Sequence, residues 1–317
     1  MNKLLEQWGS KFKDARVSSI RGGIWQVESA DERFILKRRR NRTKVFDEYE
    51  LMNWLQQNDL PISQLLYSTE DVPWGGRSGS IYVLYPFLEG MSGTELQNLN
   101  IPLAIDIGAS LAKLHRAFSQ YEAVEKFPSF DIFNEVASFG WPTIHGYVKS
   151  PFRSKLQELE QAIGGDFVNN YEMLERQLVH GDFHLGNIVV GDNKLLGILD
   201  FDRVRMGVRV FDLCYFTCAV LSHTFKNSLK KDDWLTFTKS FIKGYIKKQS
   251  LTKIEAHSYF YVMCLIIIVS AAMNLDAGNT EQADQNISIL FWLYDQHDYL
   301  QPMLENAILE DIQKQIN

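Results

Sequence analysis

Residues 179–187 read VHGDFHLGN, an aspartate, an asparagine and two histidines set among glycines within nine positions. Such a cluster can cap turns, hold a metal ion or do acid–base work. Asp182 stands five residues before Asn187. The stretch that follows, IVVGDNKLLGILDFDR, reads as two short strands joined by a GDN turn, with Asp200 at the end of the second. A hairpin therefore carries Asp182, Asn187 and Asp200 to one end of one small structure. Phosphoryl transfer asks for such a set. It needs a base to orient a hydroxyl and accept its proton, and oxygen ligands that hold one or two Mg²⁺ ions while leaving room for water and phosphate. It also needs a lysine on the nucleotide phosphates. Lys37 ends a β-prone run and Glu48 lies on the next helix, the order of the strand lysine and helix glutamate whose ion pair positions the phosphates.

Taken singly, these residues have plainer explanations. His180 and His184 are four apart and would share a helix face as metal ligands, but Gly181 and Gly186 argue against a helix there. Asp182 and Asn187 each suit a turn cap. Their combination with Lys37, Glu48 and Asp200 favours chemistry over capping. Lys37 opens the basic run KRRRNRTK, read as a solvated face rather than a patch for nucleic acid or an anionic substrate. His115, at the end of an amphipathic helix, is read as packing or capping. Cys214 and Cys218, one helical turn apart, are read as a packed helix face, because no further cysteine pair lies nearby to complete a zinc site.

The elements that must position these residues fall into two groups. LLEQWGSKF reads as a short leading helix. IWQVES and RFILKR form a hairpin across ADE, preceded by Gly22 and Gly23, where a tight turn or a close ligand approach is expected. KVFDEYELMNWLQQNDLP is a helix ended by Pro61. ISQLLYST and SGSIYVLYPFLEG read as strands around the turn EDVPWGGRSG. After Gly90 the pattern becomes helical, beginning with IPLAIDIGASLAKLHRAF and broken by β-prone runs around 179–202. The expected fold class is α+β, with a small β-rich lobe over residues 1–88 and a larger, mostly helical lobe over 89–317.

Composition sets outer limits. The chain has 317 residues, 45% hydrophobic and 23% charged, enough for two lobes that each bury a core. A formal net charge of −6 argues against a general nucleic-acid binder. Three sparse cysteines make no disulfide framework and point to reduced thiols and a cytoplasmic chain. The first residues lack the apolar run of a secretory signal. The most apolar run, 261–275, falls short of the roughly 20 residues a membrane span needs and is read as a buried helix, so no membrane partner is expected.

HGDFHLGN followed by ILDFD resembles the aminoglycoside phosphotransferase and choline kinase family, with the type II homoserine kinase-like enzymes among its branches. These are small-molecule kinases with a protein-kinase-like, bilobal fold. RGGIWQVES resembles the family's nucleotide-covering loop, EYELMNWLQQNDLPIS its helix after the strand lysine, YPFLEG its interlobe hinge, GASLAKLH the helix after the hinge, and RVFDL the helix start after the metal loop. The matching pieces run from about residue 18 to 220.

The resemblance implies ATP and Mg²⁺ as cofactors and assigns roles by position. Asp182 is implied as the catalytic base or hydroxyl-orienting group. Asn187 and Asp200 are implied as Mg²⁺ ligands. Lys37 is implied on the α- and β-phosphates, with Glu48 holding Lys37. The Pro86 carbonyl and the Leu88 N–H are implied to meet the adenine, and a proline, lacking an N–H, can serve only as acceptor. Asp212 is implied to brace the catalytic loop, and His180 to serve structure. The sequence departs from protein kinases at DFDR, which stands in place of DFG, and in lacking an activation loop and an APE motif. Asp202 is left between the second metal and the loop alone.

A small hydroxyl-bearing metabolite is therefore expected as acceptor, enclosed between the catalytic loop and the C-terminal helices. Homoserine-, choline- and aminoglycoside-like acceptors all remain open. So do two other readings, a bacterial protein Ser/Thr kinase of the same fold and a nucleotide-binding pseudokinase, the latter opposed by the complete set of candidate residues. Substrate choice is assigned to the regions 120–175 and beyond 220. There Asp276, Asp295 and Asp298, near Trp292 and Tyr294, form either an acidic, aromatic site for a cationic amine or a wet surface. The cationic amine is slightly favoured.

Overall fold

The computed structural model describes residues 1–149, 152–165, 167–226 and 230–316. After α1 (Asn2–Leu5) the chain enters an antiparallel sheet of five strands: β1 (Arg16–Arg21), β2 (Ile24–Ser29), β3 (Glu32–Arg39), β4 (Gly75–Arg77) and β5 (Ser80–Pro86), in the order β1-β2-β3-β5-β4. α2 (Arg42–Gln57) follows β3. β3 obeys the two-residue period of a strand. Phe34 and Leu36 are buried with Trp8, Phe12 and Leu84 in a small core on one face. Lys37 and Arg39 lie on the other face, which meets α2 and the second part of the chain.

Two sequence expectations change here. ISQLLYST forms no strand, and the edge beside β5 is taken by β4, inside the segment read as a turn. In ISQLLYST, Ile62, Ser63 and Leu65 are all buried, so its side chains do not alternate as a sheet strand requires. It runs as an extended tie: Leu66 N–H donates to Leu84 (2.8 Å), and the Pro61 carbonyl accepts from Ile198 N–H (2.8 Å). β1, built from RVSSIR, was not anticipated as a separate strand.

Helices dominate the rest: α3 (Ile101–Ser119), α4 (Ile132–Glu135), α5 (Trp141–Tyr147), α6 (Phe152–Ile163), α7 (Phe167–Glu172), α8 (Val210–Lys226), α9 (Lys231–Ile246), α10 (Lys253–Asp276), α11 (Thr280–Asp295) and α12 (His297–Ile316). Among them run five short strands: β6 (Met91–Ser92), β7 (Arg176–Val179), β8 (Ile188–Gly191), β9 (Lys194–Ile198) and β10 (Arg205–Val208). They form a β6-β8-β9 sheet and a β7–β10 pair. The β8–β9 hairpin turns through Asp192 and Asn193, both with positive φ (50° and 59°), as a tight hairpin demands. Asn100 caps α3, its side chain accepting from Leu103 N–H.

The helical part is fixed by close packing. α3 and α9 cross at Gly108 and Gly244, where an added Cβ would stand 2.0 Å from the Phe241 carbonyl oxygen and 2.1 Å from the Ile105 carbonyl oxygen. α10 starts with a capping box between Thr252 and Glu255 and carries the apolar run. It extends to 24 residues, long and apolar enough to cross a membrane by length and composition, and 72% of its most apolar window is buried. Its packing against α8, α11 and α12 makes it a core helix. Cys214 and Cys218 are buried on α8, their thiols directed at the carbonyls of Tyr259 and Met263 on α10.

Candidate active site

The catalytic-loop candidate, residues 180–187, is tied from below. Asp212, in the first turn of α8, accepts from the N–H of His180 (2.6 Å) and of Gly181 (2.9 Å). It also accepts from His115 Nε2 at 3.0 Å, and Tyr245 Oη stands 2.8 Å from His115 Nδ1. His115, Asp212 and Tyr245 are fully buried. Burial pushes the Asp212 carboxyl up, but its hydrogen bonds with His115 and the loop N–H groups outweigh that and hold it below the usual carboxylate range. Gly181 has φ +73°, and an added Cβ would stand 2.5 Å from the Arg203 carbonyl oxygen, so only glycine fits this bend.

His180 ties this loop to the segment that bears Asp200. Its Nε2 donates to the Leu199 carbonyl (3.0 Å), and its Nδ1 accepts from Asp182 N–H (3.3 Å). Together the two bonds require the neutral tautomer, and burial lowers the histidine's pKa in the same sense. Among the described residues no group of three or more His, Cys, Asp or Glu is arranged to hold an ion.

The hairpin brings the expected residues together. Asn187 Nδ2 donates to the Asp182 carboxylate (3.1 Å) and carbonyl (3.0 Å). The Asn187 carbonyl accepts from Leu199 N–H (2.9 Å), which places Asn187 beside the residue preceding Asp200. Asp200 sits in the left-handed region (φ 66°) just past β9. Across the cleft, Lys37 Nζ on β3 stands 2.9 Å from Asp200 Oδ1, the two side chains 17% and 15% exposed. Burial raises the Asp200 carboxyl and Lys37 more than reverses it, leaving it lowered. Apart from Lys37, buried Asp200 Oδ1 has no partner among the described residues. Asp202 is raised by burial and by its neighbour Asp200.

Among the described residues Asp182 has four polar neighbours besides its own loop backbone. Tyr215 Oη donates to Oδ1 at 3.0 Å, and Oδ2 accepts from Asn187. His184 Nε2 lies 3.7 Å and Arg203 Nε 3.8 Å from Oδ2. Burial works to raise this carboxyl, yet His184, Arg203 and Tyr215 prevail and keep it well below the carboxylate range.

One expected pairing differs. Glu48 is not bonded to Lys37. It is held by Arg39 Nη2 (2.6 Å) and by Tyr85 Oη (3.1 Å). Arg39 is two residues beyond Lys37 and so on the same strand face, which removes it from the solvated basic run where the sequence reading placed it. Arg38, Arg40 and Arg42 of that run are exposed. At the hinge, the Pro86 carbonyl accepts from Ser63 Oγ (2.7 Å), and Leu88 lays its side chain against Gly197 of β9. Arg39 was legible from strand alternation, and Tyr215 from its place one helical turn after Asp212. Arg203 had no sequence signal beyond proximity to Asp200.

Beside His184 and Tyr215 a cavity of about 590 Å³ opens between residues 184–186 and α8, α10 and α11, within the size range of small-molecule sites. The acidic, aromatic site suggested by the sequence does not assemble. Asp276, Asp295 and Asp298 are exposed, Asp295 pairs with Lys155, and Trp292 packs on Trp234 and Phe225. Residues 150–151, 166, 227–229 and 317 of the regions assigned to substrate choice lie outside the described residues.

Residues 22–251 match the phosphotransferase enzyme family. An uncharacterised protein of Synechocystis sp. is 24% identical over 254 residues, 74% of this chain, and the chain spans 65% of that relative's length. Among solved structures, a microcompartment-associated aminopropanol kinase aligns with a TM-score of 0.69 at 13% identity, covering 96% of this chain and 98% of the other. The GDP complex of aminoglycoside 2'-phosphotransferase-IIIa gives 0.67 at 14% identity over 93% and 97%. An amicoumacin kinase bound to AMP-PNP, Ca²⁺ and amicoumacin gives 0.65 at 17% identity over 93% and 88%. At these identities the likeness is one of fold, the bilobal kinase-like fold.

Proposed function

The chain belongs to the phosphotransferase enzyme family, and on that premise we propose that it is an ATP- and Mg²⁺-dependent kinase acting on a hydroxyl of a small molecule. The observation that carries this reading is the convergence of Lys37, Asp182, Asn187 and Asp200 at one end of the β8–β9 hairpin. In this reading Asp182 orients the acceptor hydroxyl and takes its proton. Lys37 meets the nucleotide phosphates, and Glu48 anchors α2 through Arg39. The Pro86 carbonyl and Leu88 N–H face the adenine, and the lobe boundary falls between residues 88 and 89, just past β5.

The donor set suits Mg²⁺. Asn187 gives its amide nitrogen to Asp182, which leaves Oδ1 for a cation, and Asp200 offers a buried, ionised carboxylate whose Oδ1 meets Lys37. Two protein oxygens completed by phosphate and water are the usual provision for this ion. Bound there, Mg²⁺ supplies charge neutralisation for the transferring phosphoryl group. Asp182, held ionised by its neighbours, is a weak base, which suits a transition state where the hydroxyl proton leaves late and the carboxylate chiefly orients.

A small acceptor is favoured over a protein by the segment after Asp200. It reaches α8 in ten residues and uses four of them as β10, paired to β7, which leaves no length for a peptide-docking loop. The test is ADP formation by the purified chain with Mg·ATP against amino alcohols, choline, homoserine, sugars and aminoglycosides. Acceptor-dependent turnover that Asp182→Asn removes is expected. Silence across the whole panel, with Asp182-dependent phosphorylation of protein substrates, would overturn the small-molecule reading.

A further inference from the structure

We propose that the acceptor is an alcohol bearing an anionic group remote from its reacting hydroxyl, and that Lys226 receives that group. This rests on the kinase reading of Asp182. The cavity of 590 Å³ runs along one face of α8, from Tyr215, whose hydroxyl is bonded to Asp182, past Ser222 to Lys226 in the last turn. Eleven residues of helix separate the ends, about 16 Å at 1.5 Å per residue. The lysine side chain shortens that span, so the acceptor is an elongated molecule with its charge several bonds from the hydroxyl.

The charge of the walls selects its sign. Among the described residues lining the cavity there is no carboxylate. The polar groups are hydroxyls, histidines and the amides of Gln282 and Asn286 on α11, and Lys226 is the formal cation. An ammonium group drawn into such a site would be desolvated without a counter-charge and would face a like charge. Asp182, bonded to Tyr215 at one end of the cavity, is already engaged by Tyr215 and Asn187 and is the group that must receive the hydroxyl. A carboxylate or phosphate placed at Lys226 instead gains a charge-assisted hydrogen bond at a distance from Asp182 that limits their repulsion. The apolar side of the cavity, Ile266 and Ile267 of α10, accommodates the carbon skeleton between the two ends.

The experiment compares kcat/KM with Mg·ATP for three charge classes: anionic (gluconate, lactobionate, glucose 1-phosphate), neutral (glucose, lactose) and cationic (glucosamine, kanamycin). Anionic members are expected to exceed neutral and cationic ones of similar size by tenfold or more, with the carboxylates and the phosphate ester showing which anion is preferred. Lys226→Met is expected to reduce the anionic-to-neutral ratio at least tenfold, and Lys226→Glu to move the preference toward the cationic members. Highest turnover with glucosamine or kanamycin, or an anionic preference that survives both substitutions, would overturn the inference while leaving the kinase reading in place. Absence of turnover in every class would instead overturn the kinase reading and this inference with it.

Discussion

Arg39 Nη2 lies 2.6 Å from the carboxylate of Glu48, a residue whose position in sequence would pair it with Lys37. The pair is buried, with side chains 12% and 4% exposed, while Lys37 turns to Asp200. Arg39→Met should therefore leave a buried carboxylate without its cation and cost about 3–5 kcal/mol of stability. Lys37→Met should act mainly on nucleotide affinity. Urea unfolding and ATP titration of both variants separate the roles. If Arg39→Met proves as stable as the wild type, Glu48 does not depend on Arg39.

Asp182→Asn retains the shape of the side chain and its hydrogen bond from Tyr215 but removes the charge. Turnover should fall at least ~10²-fold, the lower end of what a positioned acid–base group contributes. ATP affinity should stay within a few-fold of wild type, since Asn187 loses its bond to the side chain but keeps the one to the residue 182 carbonyl. Near-normal turnover would remove Asp182 from the reaction.

Asp200→Ala should abolish the gain in ATP affinity that Mg²⁺ confers. Calorimetric titration with and without Mg²⁺ reads this directly. A variant that still gains affinity on adding Mg²⁺ would show that another residue holds the ion.

Asp212 links acidity to folding. Its folded-state pKa is depressed, so its stabilising effect is fully present above the unfolded value, near ~4 for an aspartate, and is lost as pH falls through the folded value. Asp212→Asn should lower stability by roughly 3–5 kcal/mol at neutral pH, because His115 and the loop N–H groups lose a charged partner. The gap between wild type and variant should narrow below about pH 4. Thermal unfolding from acid to neutral pH checks this, and a gap that stays constant would mean that the charge of Asp212 contributes nothing.

The residues of the β8–β9 hairpin were legible because local rules govern them. A tight turn at Asp192 and Asn193 fixes the register, and the register fixes where Asp182, Asn187 and Asp200 meet. Lys37 and the helix after it were legible for the same reason, as neighbours along the chain with clear periodicity. The same local pattern misread ISQLLYST, whose apolar content suits a strand. That segment is instead wedged between the sheet and β9, where burial at consecutive positions removes the strand's alternation. Pairings between distant elements escaped the sequence altogether. Whether Glu48 meets Lys37 or Arg39 depends on how α2 docks on β3, a matter of a few ångströms that no spacing encodes. The cluster of C-terminal aspartates is dispersed because each lies on the solvent side of its helix, and the cavity presents Lys226 instead because α8 turns that face toward α10 and α11. Residue types and short spacings thus determined the kind of chemistry the chain is equipped for. The sign of charge that lines the cavity was decided only when helices far apart in sequence packed against one another.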